Sequence, residues 1–296
     1  SNIWVTGIGG EYGYDVSSAP RYVTDAYKPA IVTTDVSGCG AGYDNEQFTP
    51  FHIQGTDTQK TYNPACNYTS MFNGTSSAAP TVSGVVALML DARPDLTYRD
   101  VKYLLATTAR PVDTSKAAVT ALFAGNSTFP LEAAWTTNAA GRNFHNWYGF
   151  GLVDARAAVT AAKDHILLGT VSESTLSSSS TETTISYGTT PTEFTFTQDT
   201  GKTVEEVIVN LTVDTSNFKT YCAHIELLSP SGTKSILMNG YAGAKLQPTG
   251  NVVRLLSNAF YGESSAGTWT MNIYNGCNGV SMKLASTVPT LTIRGH

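Results

Sequence analysis

One serine, Ser76, stands among small residues in a way that would suit nucleophilic chemistry. The segment from Phe72 to Asp100 reads FNGTSSAAPTVSGVVALMLDARPDLTYRD. Gly74 allows a sharp turn just before the serine, and the small side chains at 77–79 leave room for a substrate. If a helix begins here, its free N–H groups and dipole favour the negative charge that develops when a hydroxyl attacks a carbonyl. The segment therefore predicts a serine nucleophile with part of an oxyanion-binding site.

A simpler interpretation of the same residues is a helix N-cap, since Ser and Thr commonly precede an apolar helix. Pro80 fits the first turn of such a helix, where its missing N–H costs nothing. The apolar residues between Val82 and Leu90 surround nearly the whole helix, which predicts a buried helix. Taken alone, this segment fits both a nucleophile and a cap.

Length and composition limit the classes of protein that need considering. The chain has 296 residues, enough for two domains, with 41% hydrophobic and 14% charged residues. Its net charge of −5 and the lack of a basic run argue against a nucleic-acid partner. No apolar run reaches the roughly 18 residues that span a bilayer. The opening residues SNIWVTGIGG do not resemble a signal peptide, so we expect a mature, processed or truncated chain.

The character of the sequence changes near residue 168. Helical patterns come before this point, and a polar, Ser/Thr-rich stretch followed by alternating apolar runs comes after it. These patterns predict an α/β domain over residues 1–168 and an all-β sandwich or barrel over residues 169–296. The first domain offers few candidate strands for a parallel sheet, so we expect further strands of that sheet in sequence not present here.

Four cysteines, Cys39, Cys66, Cys222 and Cys277, allow two disulfides in three connectivities. Pairing Cys39 with Cys66 and Cys222 with Cys277 keeps each bridge within one predicted domain. Two disulfides indicate an oxidising compartment, and the absence of a CxxC motif argues against a zinc site.

Several blocks resemble a known family. NGTSSAAP at 73–80 resembles the serine block of subtilisin-like proteases, and AIVTTD, LTYRDVKYLL and AAWTTNAAGRNFHNWYGFGLVDARAAV resemble the kexin/furin branch of proprotein convertases, including bacterial kexin-like serine proteases. In the second half, ELLSPSGTKSIL and FYGESSAGTWTMNIYN resemble the P-domain that follows kexin-type catalytic domains. The resemblance implies the C-terminal portion of an α/β subtilisin-like domain, with a parallel sheet and helices, followed by a sandwich of jelly-roll type.

The resemblance also implies an activity. Ser76 takes the role of the nucleophile, and Asn73, Gly74 and Thr75 take positions in the substrate and oxyanion region. The triad of this family runs Asp, His, Ser along the chain, so the aspartate, the histidine and the oxyanion asparagine are expected upstream. The chain alone is then expected to be inactive, and the whole a secreted (extracellular or periplasmic) serine endopeptidase that cleaves after basic residues. A catalytically silent fragment and a P-domain-led binding module are the alternatives.

Partners and cofactors follow from the same resemblance. We expect a peptide or protein substrate, the upstream half of the protease, and a dedicated chaperone or propeptide. The family binds calcium, which fills oxygen-lined sites and stabilises loops, but no ligands can be named in this sequence.

Two stretches within the chain could in principle substitute for the missing groups. Asp35, His52 and Ser76 stand in triad order, but His52 lies in the stretch TPFHIQGTD, which has no counterpart to a base in the family and reads as a surface loop. GIGGEYG at 7–13 could be an oxyanion segment with Gly10 in place of asparagine. Its spacing to IVTTD instead favours the buried strand that precedes the serine loop later in the family's sequence.

Four other residues are given structural roles. We expect Asp154 to cap or anchor the last helix of the first domain and His145 to make a structural hydrogen bond. Trp269 and Tyr261 are predicted to pack in the core of the sandwich.

Overall fold

The computed structural model describes residues 2–10, 30–38, 40–42, 63–241, 251–285 and 288–296. By contacts between residues the chain divides into two compact units. We call Thr6–Asp95 with Ala155–Lys163 the serine unit, and Ser1–Val5 with Leu96–Asp154 and Asp164–His296 the sandwich unit. The domain boundary at residue 168 stays a prediction. Among the helices of the described ranges, none is both long and apolar enough to cross a membrane.

The serine unit contains two strands and two helices. Strands β1 (Ile31–Thr34) and β2 (Tyr68–Phe72) pair antiparallel, and helix α1 (Thr75–Ala92) packs on helix α3 (Ala155–Lys163). The predicted parallel sheet is not formed by the part of the chain that the structure describes, because every strand pair before residue 168 is antiparallel. Parallel neighbours need long crossover connections and several further strands, and this half of the chain supplies few.

Helix α1 is much more exposed than its apolar composition predicts. It begins at Thr75, so Pro80 falls in the second turn, not in the first as predicted. Only Ser77, Val85 and Met89 are buried, and Leu88 is 55% exposed. The prediction of a buried helix was therefore wrong for this chain. The helix packs on α3 along one side, and a helix that is apolar all round needs cover on the other sides as well.

The sandwich unit begins with helix α2 (Tyr98–Thr108), which has a complete capping box. The Thr97 side chain accepts the N–H of Asp100, and the Asp100 side chain accepts the N–H of Thr97. The helix is followed by the hairpin of β3 (Val119–Phe123) with β4 (Asn126–Glu132), and by the short pair β5 (Thr136–Thr137) and β6 (Asn143–Phe144).

Two four-stranded antiparallel sheets, in the orders β13–β10–β16–β7 and β12–β11–β14–β9, form most of the rest of this unit, and β8 and β15 make a separate antiparallel pair. Apolar side chains from both sheets meet in one buried cluster, as the period-two patterns predicted. The all-β prediction is confirmed, whereas the jelly-roll type stays a prediction. The strands are β7 (Ser172–Ser177), β8 (Thr184–Ile185), β9 (Gly188–Gln198), β10 (Val204–Thr212), β11 (Ala223–Leu228), β12 (Lys234–Met238), β13 (Val252–Ser257), β14 (Gly267–Asn275), β15 (Met282–Lys283) and β16 (Thr290–Gly295).

The two predicted core aromatics have different environments. Trp269 is fully buried between the sheets, as predicted. Tyr261 instead packs with Phe144, Phe150 and Trp4 in a separate cluster. Its neighbour Phe260 joins the cluster between the sheets and packs on Trp269, so the two adjacent rings belong to different clusters.

One predicted disulfide is present in full. Cys222, at the end of a short 3-10 helix, is bonded to Cys277, just after β14, as predicted. Cys66 is also disulfide-bonded, but its predicted partner Cys39 lies outside the described residues, so that pairing stays a prediction.

Candidate active site

The turn between β2 and α1 places Ser76 at the start of the helix. Gly74 occupies the N-cap position with φ of 71°, a backbone conformation that side chains rarely adopt. Its carbonyl accepts the N–H groups of Ser77 and Ala78, each at 3.2 Å. The N-cap alternative is therefore wrong in detail, because the capping position holds a glycine with no side-chain hydrogen bond.

Ser76 is exposed, and its hydroxyl and N–H make no hydrogen bond to any residue that the structure describes. The N–H is one of the groups at a helix start that have no partner within the helix, and the helix dipole favours negative charge beside it. The hydroxyl of such an exposed residue can attack a carbonyl carbon, and its N–H can stabilise the oxyanion that forms.

The other predicted site residues lie on the same turn. Asn73 is half-buried, and Gly74 and Thr75 are exposed next to the serine. The structure thus brings Asn73, Gly74, Thr75 and Ser76 together, as expected for neighbours in sequence, and their roles toward a substrate stay predictions.

No described histidine lies in the serine unit. His145, His165, His224 and His296 all belong to the sandwich unit, and His52, the base of the alternative triad, lies outside the described residues. Each of the four has a partner of its own. The Nδ1 of His145 accepts the N–H of Trp147 at 3.0 Å, as its predicted structural role requires, and burial lowers its pKa.

A contact across the serine unit was missed by sequence reasoning. The Oγ of Ser77 lies 2.6 Å from the carbonyl oxygen of Gly9 and 2.9 Å from that of Gly74. Ser77 is 1% exposed. Its position immediately after Ser76 was visible in the sequence, but nothing there indicated that residue 9 would lie against it.

A second missed group lies in the sandwich unit around Asp100. Burial would raise the pKa of this carboxyl group, but hydrogen bonds from Thr97, Leu168 and His165 outweigh burial and lower the pKa to about 2. The capping box predicted the bond to Thr97. Nothing in the sequence indicated the hydrogen bonds of Asp100 with His165 and Leu168, which follow α3.

Asp154, predicted to anchor the last helix of the first domain, directly precedes α3. Its carboxylate forms an ion pair with Arg110 at 3.1 Å.

No metal site can be assigned within the described ranges. No group of three or more His, Cys, Asp or Glu side chains there converges so as to hold a metal ion.

Comparison with known proteins defines the class. The model of the subtilase family matches residues 12–151, and the model of the proprotein convertase P-domain matches residues 204–286. The chain is thus a subtilase-family segment joined to a proprotein convertase P-domain.

Individual relatives agree with this assignment. The Aeromonas extracellular serine protease of Aeromonas sobria is 35% identical over 94% of this chain and 45% of its own length. Furin-like protease 2 of Drosophila melanogaster is 27% identical over 93% of this chain and 16% of its own length. The chain spans about half the length of the Aeromonas relatives that it matches.

A solved structure shares the fold. The crystal structure of the Aeromonas sobria serine protease in complex with its chaperone matches with a TM-score of 0.79 and 31% identity, over 100% of this chain and 54% of the other.

Proposed function

We propose that this chain is the nucleophile-bearing portion of a secreted serine endopeptidase of the subtilisin/kexin type. Ser76 attacks the carbonyl carbon of a peptide bond, a histidine takes the hydroxyl proton, and an acyl-enzyme forms as the amine leaves. Water then releases the acyl group. The histidine, the aspartate and the oxyanion asparagine come from a segment that precedes this chain in the longer protease.

The observation that carries this proposal is the state of Ser76. Neither the exposed hydroxyl nor the N–H of Ser76 at the helix start makes a hydrogen bond to the described residues, so both are available for chemistry. The hydroxyl of the next residue, Ser77, is in contrast already engaged with the backbone carbonyls of Gly9 and Gly74.

Exposed apolar side chains support a binding surface for the preceding segment on the serine unit. In the serine unit, Ile8, Val32 and Leu88 are each more than half exposed. Exposed apolar side chains that form one contiguous patch mark interaction surfaces in soluble proteins. We propose that the segment with the histidine and aspartate covers them, because these residues lie in the same unit as the nucleophile.

Substrate, compartment and partners are proposed from the relatives. Cleavage after basic residues fits the relation to proprotein convertases. The Cys222–Cys277 disulfide fits an extracellular or periplasmic location. A dedicated chaperone or propeptide is proposed because the Aeromonas sobria protease was solved with a chaperone. Calcium binding is general among subtilases and convertases, and we propose that the assembled protease binds calcium.

Labelling with a fluorophosphonate probe tests the proposal. We expect Ser76 to be labelled when the chain is assembled with the preceding segment, and not when the chain is tested alone, because the serine needs its base. Ser76→Ala in the assembled protein is the control. Peptides ending in paired basic residues, against the same peptides with paired glutamines, test the specificity. No labelling of the assembled protein would contradict the proposal.

The second candidate is a binding module led by the sandwich unit, with no catalysis. The ordered sandwich and its disulfide make it possible for this unit to act without the nucleophile. The intact mass of the native protein distinguishes the two candidates. A mass near the 31.5 kDa of this chain, together with no labelling, supports the binding module.

A further inference from the structure

We propose that Ser77 is a positioning residue for the nucleophile, whose hydroxyl holds the turn before Ser76 against the segment at residues 7–9. This inference deepens the proposed function and rests on it. We call residues 7–9 the glycine segment.

One buried hydroxyl connects two distant stretches of backbone. The Ser77 hydroxyl has a single proton, and the carbonyl oxygens of Gly9 and Gly74 lie 2.6 and 2.9 Å from its oxygen. The hydroxyl donates to one of them or shares its proton between both. The Gly74 carbonyl also accepts the N–H groups of Ser77 and Ala78, so the turn that precedes the nucleophile is fixed from two sides.

The fit around this hydroxyl requires glycine. A Cβ on Gly9 would lie 2.7 Å from the carbonyl oxygen of Gly74, and one on Gly7 would lie 2.4 Å from that of Ala78. The glycine segment therefore packs backbone to backbone on the first turn of α1. One turn further on, the Thr81 hydroxyl lies 3.0 Å from the carbonyl oxygen of Ser77 and 3.4 Å from that of Ile8, so its contact with the glycine segment is the weaker of the two.

This arrangement matters for catalysis because Ser76 has no anchor of its own. Its hydroxyl and N–H make no hydrogen bond within the described residues, so their positions are set by the turn. Gly74, at φ of 71°, has more conformational freedom than any other residue type would have there. Displacement of a reacting group by about 1 Å can lower the rate about a hundredfold. By fixing the turn, the Ser77 hydroxyl holds the hydroxyl and the N–H of Ser76 in position.

The test compares Ser77→Ala, Ser77→Cys and Ser83→Ala in the assembled protease. Active sites are counted by end-point titration with a fluorophosphonate, and kcat is expressed per titrated site. For Ser77→Ala we expect kcat to fall about tenfold to a hundredfold, with KM within about twofold and the pH profile unchanged. Ser77→Cys nearly keeps the volume of the serine side chain, but its thiol is a weak donor. If Ser77→Ala fails to fold, we expect Ser77→Cys to show the same fall in kcat per titrated site.

Ser83→Ala is the matched control. The Ser83 hydroxyl donates to the carbonyl of Ala79 on the same helix and is exposed, so its removal should leave kcat within about twofold. Gly9→Ala should reproduce the loss of kcat seen with Ser77→Ala, because it displaces the same contact from the other side.

Two outcomes would overturn the inference. If Ser77→Ala lowers the melting temperature or the number of titrated sites but leaves kcat per site unchanged, Ser77 is merely structural. If all variants match the wild type, the contact has no role. A wild-type assembled protease that is neither labelled nor active would contradict the proposed function itself, and this inference with it.

Discussion

The Nε2 of His165 lies 2.9 Å from the Oδ1 of Asp100, and the same oxygen accepts the N–H of Leu168 at 2.8 Å. The other carboxylate oxygen accepts the N–H and the hydroxyl of Thr97. One buried carboxylate thus joins the first turn of α2 to the chain that leads into β7. Its neighbour Arg99 forms an ion pair with Glu205 on β10 and donates to the carbonyl of Gly169 at 2.6 Å. These two residues connect α2 to the sandwich.

Replacing Asp100 by Asn should destabilise the sandwich unit by roughly 2–4 kcal/mol. Four donors converge on the carboxylate, and an amide would place N–H groups against some of them, leaving buried donors without acceptors. The measurement is the free energy of unfolding in urea. Asp95→Asn is the control, because Asp95 is 57% exposed in its pair with Arg93, and such surface pairs contribute less than about 1 kcal/mol. Equal losses for both variants would contradict the prediction.

Acid should weaken the protein through Asp100. Its pKa is about 2 in the folded chain, against an ordinary value of 3.8. A depressed folded pKa stabilises the protein at pH above the ordinary value, and this stabilisation is lost as the pH falls from about 4 to about 2. Burial raises the pKa of Glu205, but its hydrogen bonds to Arg99 and His296 lower it overall, so Glu205 acts in the same direction. Urea midpoints between pH 7 and pH 2 should fall less steeply for Asp100→Asn than for the wild type.

Phe123→Ala should cost about 3–5 kcal/mol of stability. Phe123 is fully buried, stacks on Phe129, and lies so close to Gly240 and Gly276 that a Cβ on either glycine would clash with its ring. It fixes the β3–β4 hairpin on the sandwich. Leu122 is the adjacent residue and is 63% exposed, so Leu122→Ala should change stability by less than about 0.5 kcal/mol. Thermal unfolding of the two variants makes the comparison, and similar melting temperatures would refute it.

Loss of the Cys222–Cys277 disulfide should lower stability by about 4 kcal/mol, from the loop-closure entropy of a 55-residue separation. The double variant Cys222→Ser/Cys277→Ser, compared with the wild type in urea, measures this effect. A fall of less than about 1 kcal/mol in the free energy of unfolding would contradict the prediction. It would mean that the unfolded chain keeps the ends of β11 and β14 close together without the disulfide.

Residues 169–296 should stabilise the rest of the protease without contacting substrate. Their deletion would remove the ion pair of Arg99 with Glu205 and the packing of the Phe123 ring against two glycines. Deleting these residues from the assembled protease should lower its solubility and melting temperature. An equally stable fragment ending at residue 168 would show this prediction to be wrong.

Ser76→Ala in the assembled protease should abolish nearly all turnover, by roughly a millionfold, the loss measured when subtilisin loses its nucleophile. Folding and substrate binding should survive, because alanine keeps the small side chains of the turn. In contrast, His52→Ala should leave turnover within a few-fold. A large loss at His52 would support the triad of Asp35, His52 and Ser76, and an unchanged rate for Ser76→Ala would rule out the protease proposal.

The sequence by itself determined the features that depend on neighbours along the chain. Alternating residues predicted the strands of the sandwich, and Thr97 with Asp100 predicted the cap of α2. Gly74 predicted the sharp turn before the helix that carries Ser76, and the presence of two cysteines in each predicted domain predicted the Cys222–Cys277 bridge. Periodicity, caps and turns depend on a few consecutive residues, so they could be predicted from the sequence.

Only the tertiary structure decided which surfaces meet. Ser77 contacts Gly9 across 68 positions of sequence, and Asp100 contacts His165 across 65. Tyr261 was predicted for the core of the sandwich but packs beside Phe150, and α1 was predicted to be buried but leaves Leu88 exposed. Apolar composition shows that a side chain favours burial, but the partner that buries it is set by packing between segments far apart in the chain.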